Sequence, residues 1–109
     1  MQKISDTVFA AIDFESAGTA KGQTDVPIQI GIALWSPATG YGETFCSFLH
    51  TDRPVTWAAQ KVHGITTDDL QDAPTLLSLW PVIRRLLAGH VVVAHGHGTE
   101  KRFLRTFPG

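Results

Sequence analysis

The chain has 109 residues, of which 43% are hydrophobic and 17% are charged, and its formal net charge at neutral pH is −1. This length and composition indicate one folded globular domain, and they exclude an intrinsically disordered chain and a two-domain protein. The near-neutral charge excludes recruitment to nucleic acid or to an anionic membrane by overall attraction, so any such binding requires a local patch.

The cysteine content and the N-terminal sequence both bear on location. Cys46 is the single cysteine and has no partner for a disulfide within the chain, which is typical of a reducing compartment. The first residues, MQKISDTVFAAID, lack the order of a signal peptide, and every apolar run is far shorter than the roughly 20 residues of a membrane-spanning helix. We therefore expect a cytoplasmic protein with no membrane partner.

Three apolar runs in the first half of the chain predict β-strands, over residues 8–14, 28–35 and 41–49. The first run is apolar on both faces, which is typical of a central strand covered by helices. A polar, glycine-containing loop over residues 16–24 separates the first two strands. A short turn over residues 36–40 joins the second and third, so these two strands should be antiparallel.

The second half of the chain changes to the 3.6-residue period of helices. The pattern predicts a short helix over residues 56–64 and a helical turn from Thr66 or Thr67. A long helix should follow over residues 74–88, and we expect Pro81 to kink it or to loosen its first turns. The short helix ends at Gly64, and Gly89 follows the long helix.

The last part of the chain predicts a fourth strand and a further helix. Residues 91–94, VVVA, suit a strand that is buried on both faces, and a helix should begin at Thr99. The order strand, strand, strand, helices, strand, helix implies a mixed sheet with helices on its faces.

Two carboxylates end the first strand. Asp13 and Glu15 are two residues apart, so their side chains should point to the same side, with attachment points roughly 6–7 Å apart. Such a pair of hard oxygen ligands suits Mg²⁺ or Mn²⁺, and two such ions can hydrolyse a phosphodiester. The alternative is that both side chains are solvated at the strand end.

A second group of candidate ligands follows the fourth strand, in VVVAHGHGTEKRFL. His95, His97 and Glu100 could hold zinc if the loop brings them together. The alternative is that the histidines and Glu100 are ordinary residues of a loop and a helix. The adjacent basic residues Lys101, Arg102 and Arg105 form either a solvated helix surface or a phosphate contact.

Four stretches carry a resemblance to a known family: FAAIDFESAG, VPIQIGIALW, VHGITTDDLQDAP and VVVAHGHGTEKRFL. In this order and spacing the chain resembles the DEDD family of 3′–5′ exonucleases, which includes the proofreading subunit of bacterial DNA polymerase and RNase T. The resemblance covers nearly the whole chain. It implies an α/β, ribonuclease H-like fold, with a three-strand antiparallel meander, one parallel strand and flanking helices.

The resemblance also implies a function and its site. Asp13, Glu15 and Glu100 would hold two Mg²⁺ or Mn²⁺ ions and hydrolyse nucleotides from the 3′ end of single-stranded DNA or RNA. Glu100 stands where the family has Asp. The family's third motif, which supplies a general-base His and a last metal-binding Asp, has no counterpart. We therefore expect one exonuclease-like domain over residues 1–109, truncated at its C-terminus and without the fifth strand.

The substrate-binding residues implied by the resemblance surround the carboxylates, and they are Phe14, Ser16, Gly18, His63, His95, Lys101 and Arg102. The terminal nucleotide should lie against Phe14 and the loop that begins at Ser16. A polymerase or another protein is an expected partner, and an exposed sheet edge would allow homo-oligomers. Two alternatives stay open: a non-catalytic module that binds nucleic acid or protein, and a zinc hydrolase.

Overall fold

The computed structural model describes residues 6–19 and 25–94. Within them the elements are, in chain order, β1 (Phe9–Ser16), β2 (Pro27–Ser36), β3 (Gly40–Phe48), α1 (Trp57–His63), a 3₁₀ turn (Asp68–Leu70), α2 (Leu76–Leu87) and β4 (Val91–Ala94). The strands form one sheet in the order β3-β2-β1-β4. Strand β2 is antiparallel to β1 and β3, and β4 is parallel to β1. The predicted meander and parallel strand are confirmed.

The main hydrophobic core lies between the sheet and α2. Along β1, Ala10, Ile12 and Phe14 are buried, because alternate side chains of a strand point to one face. Ile83 and Leu86 on α2 are buried in the same core. We call this side of the sheet the covered face and the other side the open face.

Helix α2 follows the predicted apolar period and begins where its cap predicts. The Thr75 side chain accepts a hydrogen bond from the backbone N–H of Ser78, at 3.1 Å. The expectation that Pro81 loosens the first turns is wrong, since the helix includes them and continues through Pro81. Pro81 cannot donate to the carbonyl of Leu77, but Leu77 is 68% exposed, so water can replace that bond. No described helix is long and apolar enough to cross a membrane.

Helix α1 and the 3₁₀ turn pack beside the end of β1 on a second, smaller hydrophobic cluster. The N-cap Thr56 accepts a hydrogen bond from the N–H of Ala59, and Gly64 ends the helix with a left-handed φ of 74°, as the sequence predicts. The 3₁₀ turn confirms the predicted helical turn. The second cluster consists of Ala17, Ile28, Val55, Ile65 and Leu70.

Strand β4 differs from its prediction. The sequence predicts that its valines are buried on both faces. Instead, Val91 is 49% exposed, Val92 43% and Val93 47%. In the described part of the chain β4 pairs only with β1, at the sheet edge. Ala11 on β1 is exposed as well. Among the described residues, therefore, helices cover only one face of β1, and the expectation that they cover both faces is wrong. A run of apolar residues indicates a strand, but not what covers it.

Candidate active site

The two carboxylates of β1 lie together on the open face. Strand β1 continues to Ser16, so Asp13 and Glu15 both belong to it, and strand geometry separates their Cα atoms by roughly 6–7 Å. Asp13 is exposed and Glu15 is partly buried. The covered face holds Ile12 and Phe14, so the strand directs its acids away from the core.

A shallow depression surrounds these carboxylates, lined by Asp13, Glu15, Gln29, Gly31 and Cys46. The strand register explains it: Gly31 of β2 lies directly between Asp13 of β1 and Cys46 of β3. A Cβ atom built on Gly31 meets no atom within 4 Å. The missing side chain therefore leaves open space beside Asp13 on the open face.

The charge of the site is uncompensated within the described residues. Neither Asp13 nor Glu15 forms an ion pair or a side-chain hydrogen bond with another described residue, whereas Glu43 pairs with Arg85 elsewhere. Two adjacent carboxylates whose oxygen atoms have no described partner fit a hard divalent cation. Residues 6–19 and 25–94 contain no group of three His, Cys, Asp or Glu side chains that could hold a metal ion.

The segment in which β1 ends, residues 16–18, carries the predicted substrate residues Ser16 and Gly18, and we call it the strand exit. The N–H of Gly18 donates to the Asp25 carboxylate at 3.0 Å, and the N–H of Thr56 donates to the carbonyl of Ala17 at 2.8 Å. Gly18 has a φ of 93°, and a Cβ there would overlap the Thr56 side chain. The strand exit is thus held against α1.

His63, predicted to contact substrate, lies beside the same segment. Its Nε2 is hydrogen bonded to the carbonyl of Ser16 at 2.9 Å. The structure therefore brings His63 next to Ser16 and Gly18, beside Glu15, although more than 40 positions separate His63 from these residues in the sequence. Their contact with a nucleotide stays a prediction.

The structure contradicts the prediction that the Phe14 ring contacts the terminal nucleotide. Its side chain is only 8% exposed and belongs to the main core, since it alternates with Asp13 and Glu15 and so points to the covered face. The ring therefore cannot receive the terminal nucleotide. The remaining predicted site residues lie outside the described residues, and they are His95, His97, Glu100, Lys101, Arg102 and Arg105.

Sequence reasoning missed the residues that shape the depression from the neighbouring strands. Gly31 could have been found, because a lone glycine inside an apolar strand often marks a close approach to the backbone. Gln29 and Cys46 had no such signal. The Gln29 side-chain amide lies 3.6 Å from the Cys46 Sγ, and this pairing depends on the register of β2 and β3.

Comparison with known proteins decides the family. The model of the exonuclease family named RNase_T matches residues 10–105. The chain belongs to this exonuclease family. The match includes Asp13, Glu15 and Glu100, and it confirms the resemblance that the sequence motifs indicated.

Individual relatives agree with this assignment. A DNA polymerase III subunit epsilon-like protein of Rhodobacter capsulatus is 29% identical over 98 residues, which make up 89% of this chain and 14% of that protein. A full-length 3′-exonuclease has a TM-score of 0.76 at 17% identity, over 96% of this chain and 40% of that one. The nuclease domain of 3′hExo, a DEDDh family member bound to rAMP, has a TM-score of 0.71 at 18% identity, over 90% of this chain and 56% of that one.

A further solved structure, E. coli exonuclease I in complex with a dT13 oligonucleotide, has a TM-score of 0.66 at 18% identity, over 87% of this chain and 21% of that one. At these identities the solved structures establish the fold, which is that of the ribonuclease H-like exonucleases. The chain spans 14% of the length of the epsilon-like protein and 40% of the full-length 3′-exonuclease.

Proposed function

We propose that the chain provides the active-site strand of a 3′–5′ exonuclease that removes nucleotides from the 3′ end of single-stranded DNA or RNA. The observation that carries the proposal is the position of Asp13 and Glu15. Both lie on the open face, without a described counter-charge, beside the space that Gly31 leaves. Membership of the exonuclease family supports the hydrolysis of phosphodiesters as the reaction class.

The residues proposed to hold Mg²⁺ or Mn²⁺ are Asp13 and Glu15, with Glu100 as a third ligand. When bound, a pair of such ions activates a water molecule and stabilises the leaving 3′ oxygen. The carboxylates supply hard oxygen atoms, which favour these ions over softer metals. Their position on a rigid strand fixes their separation, and the absence of a described cationic neighbour leaves their charge available.

The strand exit is the proposed position of the terminal nucleotide. Ser16 and Gly18 lie immediately after Glu15, and the basic residues Lys101 and Arg102 are proposed to contact phosphates. The proposed domain is residues 1–109, in the cytoplasm, with a polymerase or another protein as partner. The name of the epsilon-like relative supports a polymerase partner.

The test is degradation of 5′-labelled single-stranded DNA and RNA in the presence of Mn²⁺. We expect a ladder that shortens from the 3′ end and that disappears with chelator or with Asp13→Asn. Asp52→Asn is the matched control, because the Asp52 side chain is 99% exposed and far along the chain from the carboxylate pair. Use of both substrates also identifies the sugar that the site accepts.

Three outcomes would contradict the proposal. Products that shorten from the 5′ end would exclude the proposed polarity, cleavage without a divalent ion would exclude the metal, and full activity of Asp13→Asn would exclude the site. A folded chain that binds the oligonucleotide without cleaving it would favour the alternative below.

The alternative function is a module that binds nucleic acid or protein without cleaving. It is favoured by the small number of metal ligands at this site. Within the described residues, Asp13 and Glu15 are not joined by a third side chain into a group that could hold a metal ion. The exposed β4 edge supports association with a second copy or another chain by strand addition. Sedimentation over a range of protein concentrations would show such association as a rise in mass.

A further inference from the structure

Helix α1 holds two consecutive carbonyl groups of the strand exit, one at each of its ends. At the N-terminal end the backbone N–H of Thr56 donates to the carbonyl of Ala17, at 2.8 Å. At the C-terminal end the ring of His63 bonds to the carbonyl of Ser16, at 2.9 Å. Glu15 immediately precedes these two residues and is the last residue before the β1–β2 register shifts, so the contacts act on the chain directly after it.

The hydrogen bonds of His63 fix the position of its proton. The N–H of Ile65 donates to Nδ1 at 3.0 Å, so Nδ1 must present a lone pair. The proton therefore sits on Nε2, which donates it to the carbonyl of Ser16. Both ring nitrogens are engaged with the backbone, and neither is available to bind a metal ion or to accept a proton from water unless one of these bonds breaks.

The strand needs this support where it holds Glu15. The regular register of β1 with β2 ends between Glu15 and Ser16, where the pairing shifts. Beyond the shift, Ser16 is paired with Pro27, which has no N–H to donate, and the N–H of Ala17 donates to the carbonyl of Val26 at 3.0 Å. The contacts from Thr56 and His63 hold the carbonyls of Ala17 and Ser16 beside this irregular pairing, and the Gly18 N–H donates to Asp25.

We propose that His63 is a positioning residue for the Glu15 carboxylate. By donating from Nε2 to the carbonyl of Ser16, His63 holds the end of β1 in the direction that places Glu15 beside Asp13. This inference rests on the proposed function, because the carboxylate pair is the group being positioned. It gives His63 an indirect effect on metal binding, through the backbone, instead of a contact with the metal ion.

The test compares three variants of the chain by their affinity for Mn²⁺ alone. His63→Leu removes both ring contacts, and His63→Gln keeps a side-chain N–H donor and an acceptor. His90→Leu is the matched control, because the His90 ring also bonds to a backbone carbonyl, that of Leu86, at 2.6 Å and away from the carboxylates. Calorimetry or the electron paramagnetic resonance of free Mn²⁺ gives the dissociation constants.

We expect His63→Leu to weaken Mn²⁺ binding about 10-fold, as the loss of a residue that orients a ligand does. His63→Gln should restore most of the affinity, and His90→Leu should keep it unchanged. The nitrogen spectrum of the wild-type imidazole should show the proton on Nε2. Equal Mn²⁺ affinity of His63→Leu and wild type would overturn the inference, as would a proton on Nδ1.

A second measurement separates this inference from the proposed function. In the metal-free chain, the carboxyl carbon resonance of Glu15 should shift in His63→Leu and stay in place in His90→Leu. If the wild type binds no Mn²⁺, the proposed function fails, and the Glu15 resonance still decides whether His63 positions the carboxylate. An unchanged resonance in His63→Leu would overturn the positioning role.

Discussion

The two faces of β1 differ in what surrounds them, although their residues alternate along one strand. On the covered face Ile12 and Phe14 pack against the residues of α2. On the open face Asp13 and Glu15 border a depression with no described counter-charge. Since each face has its own set of neighbours, substitutions on one face should change stability and substitutions on the other should change metal binding.

The largest effect is expected from Ile12→Ala. Ile12 is 2% exposed in the main core, and its truncation leaves a cavity under α2, which should lower the free energy of unfolding by about 2–5 kcal/mol. Urea unfolding measures the loss. Ala11→Ser is the control, because Ala11 is the adjacent residue on the open face and its exposed position should change stability by no more than about 0.5 kcal/mol. Similar losses for both variants would refute the difference between the faces.

The next effect concerns the strand exit. Gly18→Ala should cost about 2–4 kcal/mol, because Gly18 has a left-handed φ and its new Cβ would overlap Thr56. Gly64→Ala shares the left-handed φ but has no atom within 4 Å of the added Cβ, so it should cost only about 1 kcal/mol. Thermal or urea unfolding compares them. Equal costs would show that contact with α1 does not constrain Gly18.

Gly31→Leu should affect the site more than the fold. The new side chain would enter the open space beside Asp13, and we expect Mn²⁺ affinity to fall roughly 10-fold, or about 1.4 kcal/mol. Gly42→Leu is the control, near the start of β3 and away from the carboxylates. Calorimetry gives the affinities and urea unfolding confirms the fold. An unchanged Mn²⁺ affinity in Gly31→Leu would mean that the depression is not the metal site.

The smallest effect is expected at the exposed pair of Glu43 and Arg85, which joins β3 to α2 on the covered side. The Arg85 guanidinium, at 2.8 Å, holds the pKa of Glu43 below its ordinary 4.5. A lowered pKa in the folded state stabilises the fold above the unfolded value, and this contribution disappears as the pH falls through the folded pKa.

Glu43→Gln should therefore lower the urea midpoint slightly at neutral pH, and the difference from wild type should vanish in acid and shrink in high salt. Urea titrations at several pH values test this. A difference that persists after Glu43 is protonated would contradict the electrostatic origin.

Much of this fold could be predicted from local patterns. The alternation of Asp13 and Glu15 with Ile12 and Phe14 depends only on the two-residue period of a strand, and Thr56, Gly64 and Thr75 mark helix ends through local hydrogen bonds. The same alternation could have excluded Phe14 from the substrate site. The resemblance to the family implies a site but does not specify the face to which each side chain points.

The remaining features depend on contacts between distant parts of the chain. The bond from His63 to Ser16 joins residues 47 positions apart, and the depression requires Asp13, Gly31 and Cys46 to lie in one register. No local pattern specifies either arrangement. The burial of β4 was mispredicted for the same reason, since Val91–Ala94 has the same sequence whether or not another element covers it.

The most direct test of the central claim measures cleavage and stability on the same preparations of wild type and Asp13→Asn. We predict that Asp13→Asn lowers metal-dependent removal of 3′ nucleotides by at least roughly 100-fold, because loss of a metal ligand should exceed the effect of losing an orienting residue. Its unfolding midpoint should match that of the wild type, because Asp13 is exposed and makes no described side-chain contact. Undiminished cleavage by a folded Asp13→Asn would contradict the claim that the open face of β1 is the active site.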